Sequence, residues 1–112
     1  MDSVTLISHD DLPLARSTCA AVASLADFTI DRIADVQLAV AESLGLFAGG
    51  ASRIAFTREA AEVAVRIDGQ RAAGESTTEL TRRILTALCD EARIEPDGEG
   101  ASIHLRFDGG AR

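Results

Sequence analysis

The side chains whose types and spacing could do chemistry fall into a few small groups. Cys19 and Cys89 sit in apolar helical patterns without CxxC spacing, which reads as two reduced core thiols. His9 and His104 lie far apart, with no Cys or His at ligand spacing, so a zinc site has no support. Asp31, Asp35 and Glu42 share one helical face, the pattern of a solvated acidic stripe. Asp68-Gly69 ends an alternating apolar segment and is what a tight turn carries. Arg82-Arg83 reads as a solvated helix face able to meet an acidic partner. All eleven basic residues are Arg. The absence of Lys excludes a Schiff-base lysine and a Walker-type phosphate lysine.

Composition narrows the classes further. The chain has 112 residues, 46% hydrophobic and 26% charged, enough for one domain that buries roughly two-thirds of its unfolded surface. Eleven basic against eighteen acidic residues give a net charge of −7, a poor match to phosphate backbones or anionic membranes. Trp and Tyr are absent and only four Phe occur, against the stacking platforms of single-stranded nucleic-acid binders. No apolar run reaches membrane-spanning length. Met1 to Asp11 lacks a basic segment, so a secretory signal is not expected and the expected location is cytoplasmic.

The elements that must position these residues follow from periodicity. Val4 to Ile7 reads as a first strand. Asp10, Asp11 and Pro13 open a helix in which Leu12, Ala15, Cys19, Val22 and Ala26 recur at three-to-four spacing. Thr29 is the expected N-cap of a second helix, Ile30 to Phe47. Its stripe is Ile33, Val36, Val40, Leu44 and Phe47, and it should be covered on most sides. Gly45 is expected to allow close helix packing, and Gly49-Gly50 to end the helix. Two strands are expected around Ile54 and Phe56 and around Val63, Val65 and Ile67, joined through Arg58 to Ala61. A polar loop, Gln70 to Ser76, leads to a third helix capped by Thr77 or Thr78. Leu80, Ile84, Leu85, Leu88 and Cys89 point inward from it, and Glu79 and Arg83 outward. Pro96 to Gly100 reads as a turn. Ala101, Ile103, Leu105 and Phe107 alternate with polar residues in a half-buried strand that leaves His104 outside, and Asp108 to Arg112 reads as a frayed tail. The expected fold class is α+β: one domain over 1–112, a two-layer sandwich whose mostly antiparallel sheet is covered on one face by about three helices.

Three segments resemble one family. Asp35-Val-Gln-Leu-Ala-Val-Ala-Glu42-Ser resembles the second helix of anti-sigma-factor serine kinases, in the histidine-kinase-like ATPase superfamily. Ile84-Leu85-Thr-Ala-Leu88-Cys-Asp90 is similar to the family's helix after the nucleotide loop. Gly100-Ala101-Ser-Ile-His-Leu resembles its last strand. The resemblance runs from Val4 to Phe107 and implies a Bergerat-like fold with an ATP cleft between helices and sheet. It places Glu42 where the catalytic base accepts the proton of an attacking serine.

The departures from that pattern concern the nucleotide. The family's magnesium-holding Asn, four residues after the Glu, is Leu46 here, with no oxygen for a hard cation. The adenine motif Asp-x-Gly is half present: Asp68 is in place, but Gly69 is adjacent and Gln70 takes the Gly position. The phosphate-cradling glycines fall at Glu79 and Thr81, and the loop 69–78 is short for an ATP lid. The resemblance therefore implies a regulatory protein-binding domain without nucleotide-dependent kinase activity. Glu42 is then a vestigial base, Asp68 and Gly69 remnants of the nucleotide site, and no metal or cofactor is expected. The implied partners are a sigma factor, an anti-anti-sigma protein or a second copy, with neither nucleic acid nor membrane among them. One alternative is a divergent Mg-ATP-dependent serine kinase acting on an anti-anti-sigma partner, with Glu42 as base and Asp68 on adenine. Another is an unrelated small α+β binding domain.

Overall fold

Apolar residues at period two in the strands and at three-to-four spacing in the helices build two layers around one core. A computed structural model describes residues 2–6, 12–71 and 74–109, with side chains for 15–47, 53–71, 74–96 and 98–109. The elements are β1 (Asp2–Leu6), α1 (Leu12–Leu25), α2 (Ile30–Leu44), β2 (Phe47–Glu59), β3 (Glu62–Arg71), α3 (Glu75–Leu88), β4 (Glu91–Asp97) and β5 (Gly100–Phe107). The five strands form one antiparallel sheet in the order β1-β2-β3-β5-β4. Ile54, Phe56, Val63, Val65, Ile67, Ile103, Leu105 and Phe107 are buried from the sheet. Facing them in the same core are Ala15, Cys19, Val22 and Ala23 of α1, Val36, Ala39, Val40 and Leu44 of α2, and Leu85 of α3. The opposite sheet face carries the alternate residues, mostly polar, with Ala55 and Ala64 half-buried among them and Arg53 and Arg66 exposed. The expected α+β sandwich is thus the observed fold.

The α1–α2 corner is fixed locally. The Phe28 N–H donates to the Ala23 carbonyl at 3.0 Å and the Asp27 N–H to the Ser24 carbonyl at 3.0 Å. This reciprocal pair is a Schellman motif, with Asp27 at φ 61 in the left-handed position. Thr29 then caps α2 as expected, its hydroxyl accepting from the Arg32 N–H at 3.1 Å.

Several boundaries differ from the expectations. The second helix stops at Leu44, where the Gly45 N–H turns back to the Glu42 carbonyl at 3.3 Å and the Leu46 N–H to the Ser43 carbonyl at 3.1 Å. Gly45 is exposed at this C-cap and packs against no other helix, since a Cβ there would meet only the Glu42 carbonyl at 3.4 Å. Gly49-Gly50 does not end the helix but lies inside β2. Phe47 pairs with Arg71 and Ala51 with Gly69, so the β2 segment holds surplus residues in a bulge, where glycine is favoured. Asp68-Gly69 is not a strand-ending turn: β3 runs on to Arg71, with Asp68 paired to Arg53 and Ser102. The β2–β3 connection shrinks to Ala60-Ala61, because Glu59 already pairs with Glu62. The third helix begins at Glu75 behind Gly74 rather than at a Thr cap, and Thr78 instead donates to the Gly74 carbonyl at 2.9 Å. Leu80 is exposed, not inward, and Leu38 is exposed on α2. Segment 91–97, unassigned up to Glu95 and read as a turn from Pro96, is an edge strand whose turn is confined to Gly98-Glu99. Ile7, Asp10 and Asp11, residues 72–73 of the expected lid segment and the 110–112 tail lie outside the described residues.

Candidate functional site

Glu42 lies on α2, half-buried where that helix meets α3. The Thr81 hydroxyl of α3 donates to Glu42 Oε1 at 3.3 Å, and Thr81 itself is buried. Glu42 is therefore tied to a neighbouring helix rather than standing in a freely solvated stripe. Further along the same seam, the Arg32 guanidinium donates to Asp35 at 3.1 Å, to the Leu88 carbonyl at 2.9 Å and to Asp90. It also sits 5.3 Å from the Phe107 ring centroid, joining α2, the end of α3 and β5. Asp90 in turn accepts from the Asp108 N–H at 2.7 Å.

Leu46 and Phe47 turn inward directly after α2 and are 2% and 6% exposed. The Phe47 ring packs against Gly69: a Cβ on Gly69 would stand 2.6 Å from Phe47 Cδ1, closer than any real contact. The space above Gly69 on the helix side is thus occupied by an aromatic ring of the chain itself.

Asp68 is on the other side of the sheet. Val63, Val65 and Ile67 face the core, so Arg66 and Asp68 project from the face without helices. There the Ser102 hydroxyl donates to Asp68 Oδ1 at 2.5 Å and the Arg66 guanidinium at 3.1 Å. Partial burial pushes the carboxyl up, but the Ser102 and Arg66 hydrogen bonds, with the charges of Arg66 and Arg53, outweigh it and hold Asp68 below its ordinary value. On the same face His104 Nε2 lies 3.2 Å from Glu95. Glu42, Leu46 and Gly69 therefore belong to the helix side of the molecule and Asp68 to the opposite one; they do not converge on one cleft.

Of the two positions where the resemblance expects a phosphate cradle, Glu79 is paired with Arg82 at 2.6 Å and Thr81 is turned to Glu42. Glu79 and Arg82 line an open groove of about 560 Å³ between the start of α3 and β4, together with Arg71, Thr78, Ile94 and Pro96. Neither Glu42, Asp68 nor Gly69 reaches it. The thiols are free, and burial pushes both Cys19 and Cys89 up to about 12, which keeps them protonated and unreactive at neutral pH. Among the described residues no cluster of His, Cys, Asp or Glu is arranged to hold a metal ion. None of their helices is long and apolar enough to cross a membrane.

Sequence reasoning missed Ser102, placed Phe47 in the helical stripe of α2 and gave Thr81 only as a replaced phosphate-cradle position. Phe47 fits the helical stripe of α2 as well as it fits a strand. The hydroxyl partners carry no motif; only the register of β3 against β5 and the seating of α3 on α2 reveal them. No protein-family model matches the chain, and no curated protein sequence matches it.

Proposed function

We propose that the chain is a regulatory protein-binding domain of the anti-sigma-factor kind, acting without nucleotide and without kinase activity. The observation that carries this reading is the Phe47 ring against Gly69. The resemblance implies close ligand approach at the motif's glycine, whose position is Gln70 here, with Gly69 beside it bordering space on the helix side. Here the space is filled, the motif's Asp68 is bonded to Ser102 across the sheet, and the magnesium position is the buried Leu46. With neither metal ligand nor phosphate cradle, Glu42 has no γ-phosphate to direct a serine toward. Its hydrogen bond to Thr81 serves instead to join two helices.

A domain of this kind works through its surface, and the expected partner is a sigma factor or an anti-anti-sigma protein. The unpaired, protonated thiols fit a reducing cytoplasm. The test is affinity purification from the native host with mass identification, with and without Mg-ATP. A stoichiometric protein partner retained equally in both conditions is expected. Retention that depends on Mg-ATP would overturn the reading.

A further inference from the structure

The α2 helix leaves one apolar stripe uncovered. Ile30, Ala34 and Leu38 follow at four-residue spacing and Ala41 completes the row. Ile30 is 85% and Leu38 58% exposed, whereas Val36, Val40 and Leu44 of the same helix are buried. Ile30, Ala34 and Ala41 are each followed by an acid: Asp31, Asp35 and Glu42. At the helical period Asp31 and Asp35 rim one edge of the stripe, while Glu42 turns from it to Thr81 of α3. Asp31 is exposed, with no cationic partner among the described residues, and Asp35 shares Arg32. Along the other edge a depression of about 300 Å³ is lined by Arg16, Ala34, Gln37, Leu38 and Ala41, wide enough to accept apolar side chains of a neighbour. Large exposed apolar side chains beside a charged rim are the anatomy of an interface.

We infer that this stripe docks an amphipathic helix with a basic flank, presented by the partner protein. The inference rests on the protein-binding reading above and names its surface. Apolar side chains of the incoming helix would cover Ala34 and Leu38, and its Lys or Arg residues would meet Asp31 and Asp35. A second copy is a poor occupant, because it brings the same acidic rim and a net charge of −7.

The test uses two labelled helical peptides with leucines at three-to-four spacing, one flanked by lysines and the other by glutamates, followed by fluorescence anisotropy. The lysine peptide should bind the intact chain and the glutamate peptide should not, with affinity falling as salt rises. Leu38→Asp should weaken the lysine peptide by at least about tenfold, and Asp31→Lys by a few-fold. Leu38 and Asp31 are exposed, so unchanged thermal melts will show that both variants fold. Equal binding of the two peptides, or binding indifferent to Leu38→Asp, would overturn the inference. So would a dimer of the free chain that Leu38→Asp dissociates, since the stripe would then be covered by a second copy. A native partner retained equally by the wild type and Leu38→Asp would remove this surface while leaving the protein-binding reading intact. A partner held only with Mg-ATP would do the reverse.

Discussion

Phe47 and Gly69 are the pair on which the proposed nucleotide-free reading depends. With a Cβ at residue 69 the Phe47 ring must move, in a bulged stretch of β2. Gly69→Ala should therefore cost about 1–3 kcal/mol by overpacking. In a Phe47→Ala background the same change should cost much less, and a double-mutant cycle by denaturant unfolding measures the coupling. Asp68 gives a pH signature. Its carboxyl is held below the ordinary value in the folded chain, so the unfolded chain binds that proton more tightly. The stability it contributes is present above the unfolded pKa of about 4 and is lost as pH falls through the lower folded value. Asp68→Asn should lower the urea midpoint at neutral pH, and the gap to the wild type should close below about pH 4. A gap that is constant with pH would mean that the Ser102 and Arg66 bonds do not favour the ionised form.

At the scale of elements, the α1–α2 corner holds a non-glycine residue where glycine is preferred. Asp27 is left-handed, and its charge lies just past the C-terminus of α1, the negative end of that helix. Asp27→Gly should raise stability by about 0.5–1 kcal/mol, read as an upward shift in Tm. The elements themselves were largely legible: alternation marks Val63 to Ile67 and Ala101 to Phe107, and Thr29 marks the start of α2. Where the reading failed, the cause is physical. Phe47 satisfies a helical stripe and a strand equally, so the end of α2 was set by Gly45 capping and by β2 pairing. Edge strand β4 carries Glu91, Arg93, Glu95 and Pro96, the charges and proline that keep an edge from pairing further, and these imitate a loop in sequence. The side of the sheet on which Asp68 falls was legible once β3 was known to continue past it, which the Asp-Gly pair disguised as a turn.

For the whole molecule, both layers are built from one core, and outside it lie an exposed stripe on α2, the exposed Leu25 and Leu80, and a mostly polar sheet face. The three segments that resemble the kinase family lie on α2, α3 and β5, each contributing to that core. Their apolar residues keep the fold together whether or not a nucleotide binds, whereas the residues at the positions the resemblance gives to the nucleotide have partners within the chain: Thr81 with Glu42, Asp68 with Ser102, Glu79 with Arg82. Under the proposed function, that division lets a family-like pattern persist in a chain that works by contact alone. Isothermal titration of the purified chain with Mg-ATP tests this most directly. No binding heat is expected at any concentration below the millimolar range, and saturable micromolar binding would contradict the nucleotide-free reading.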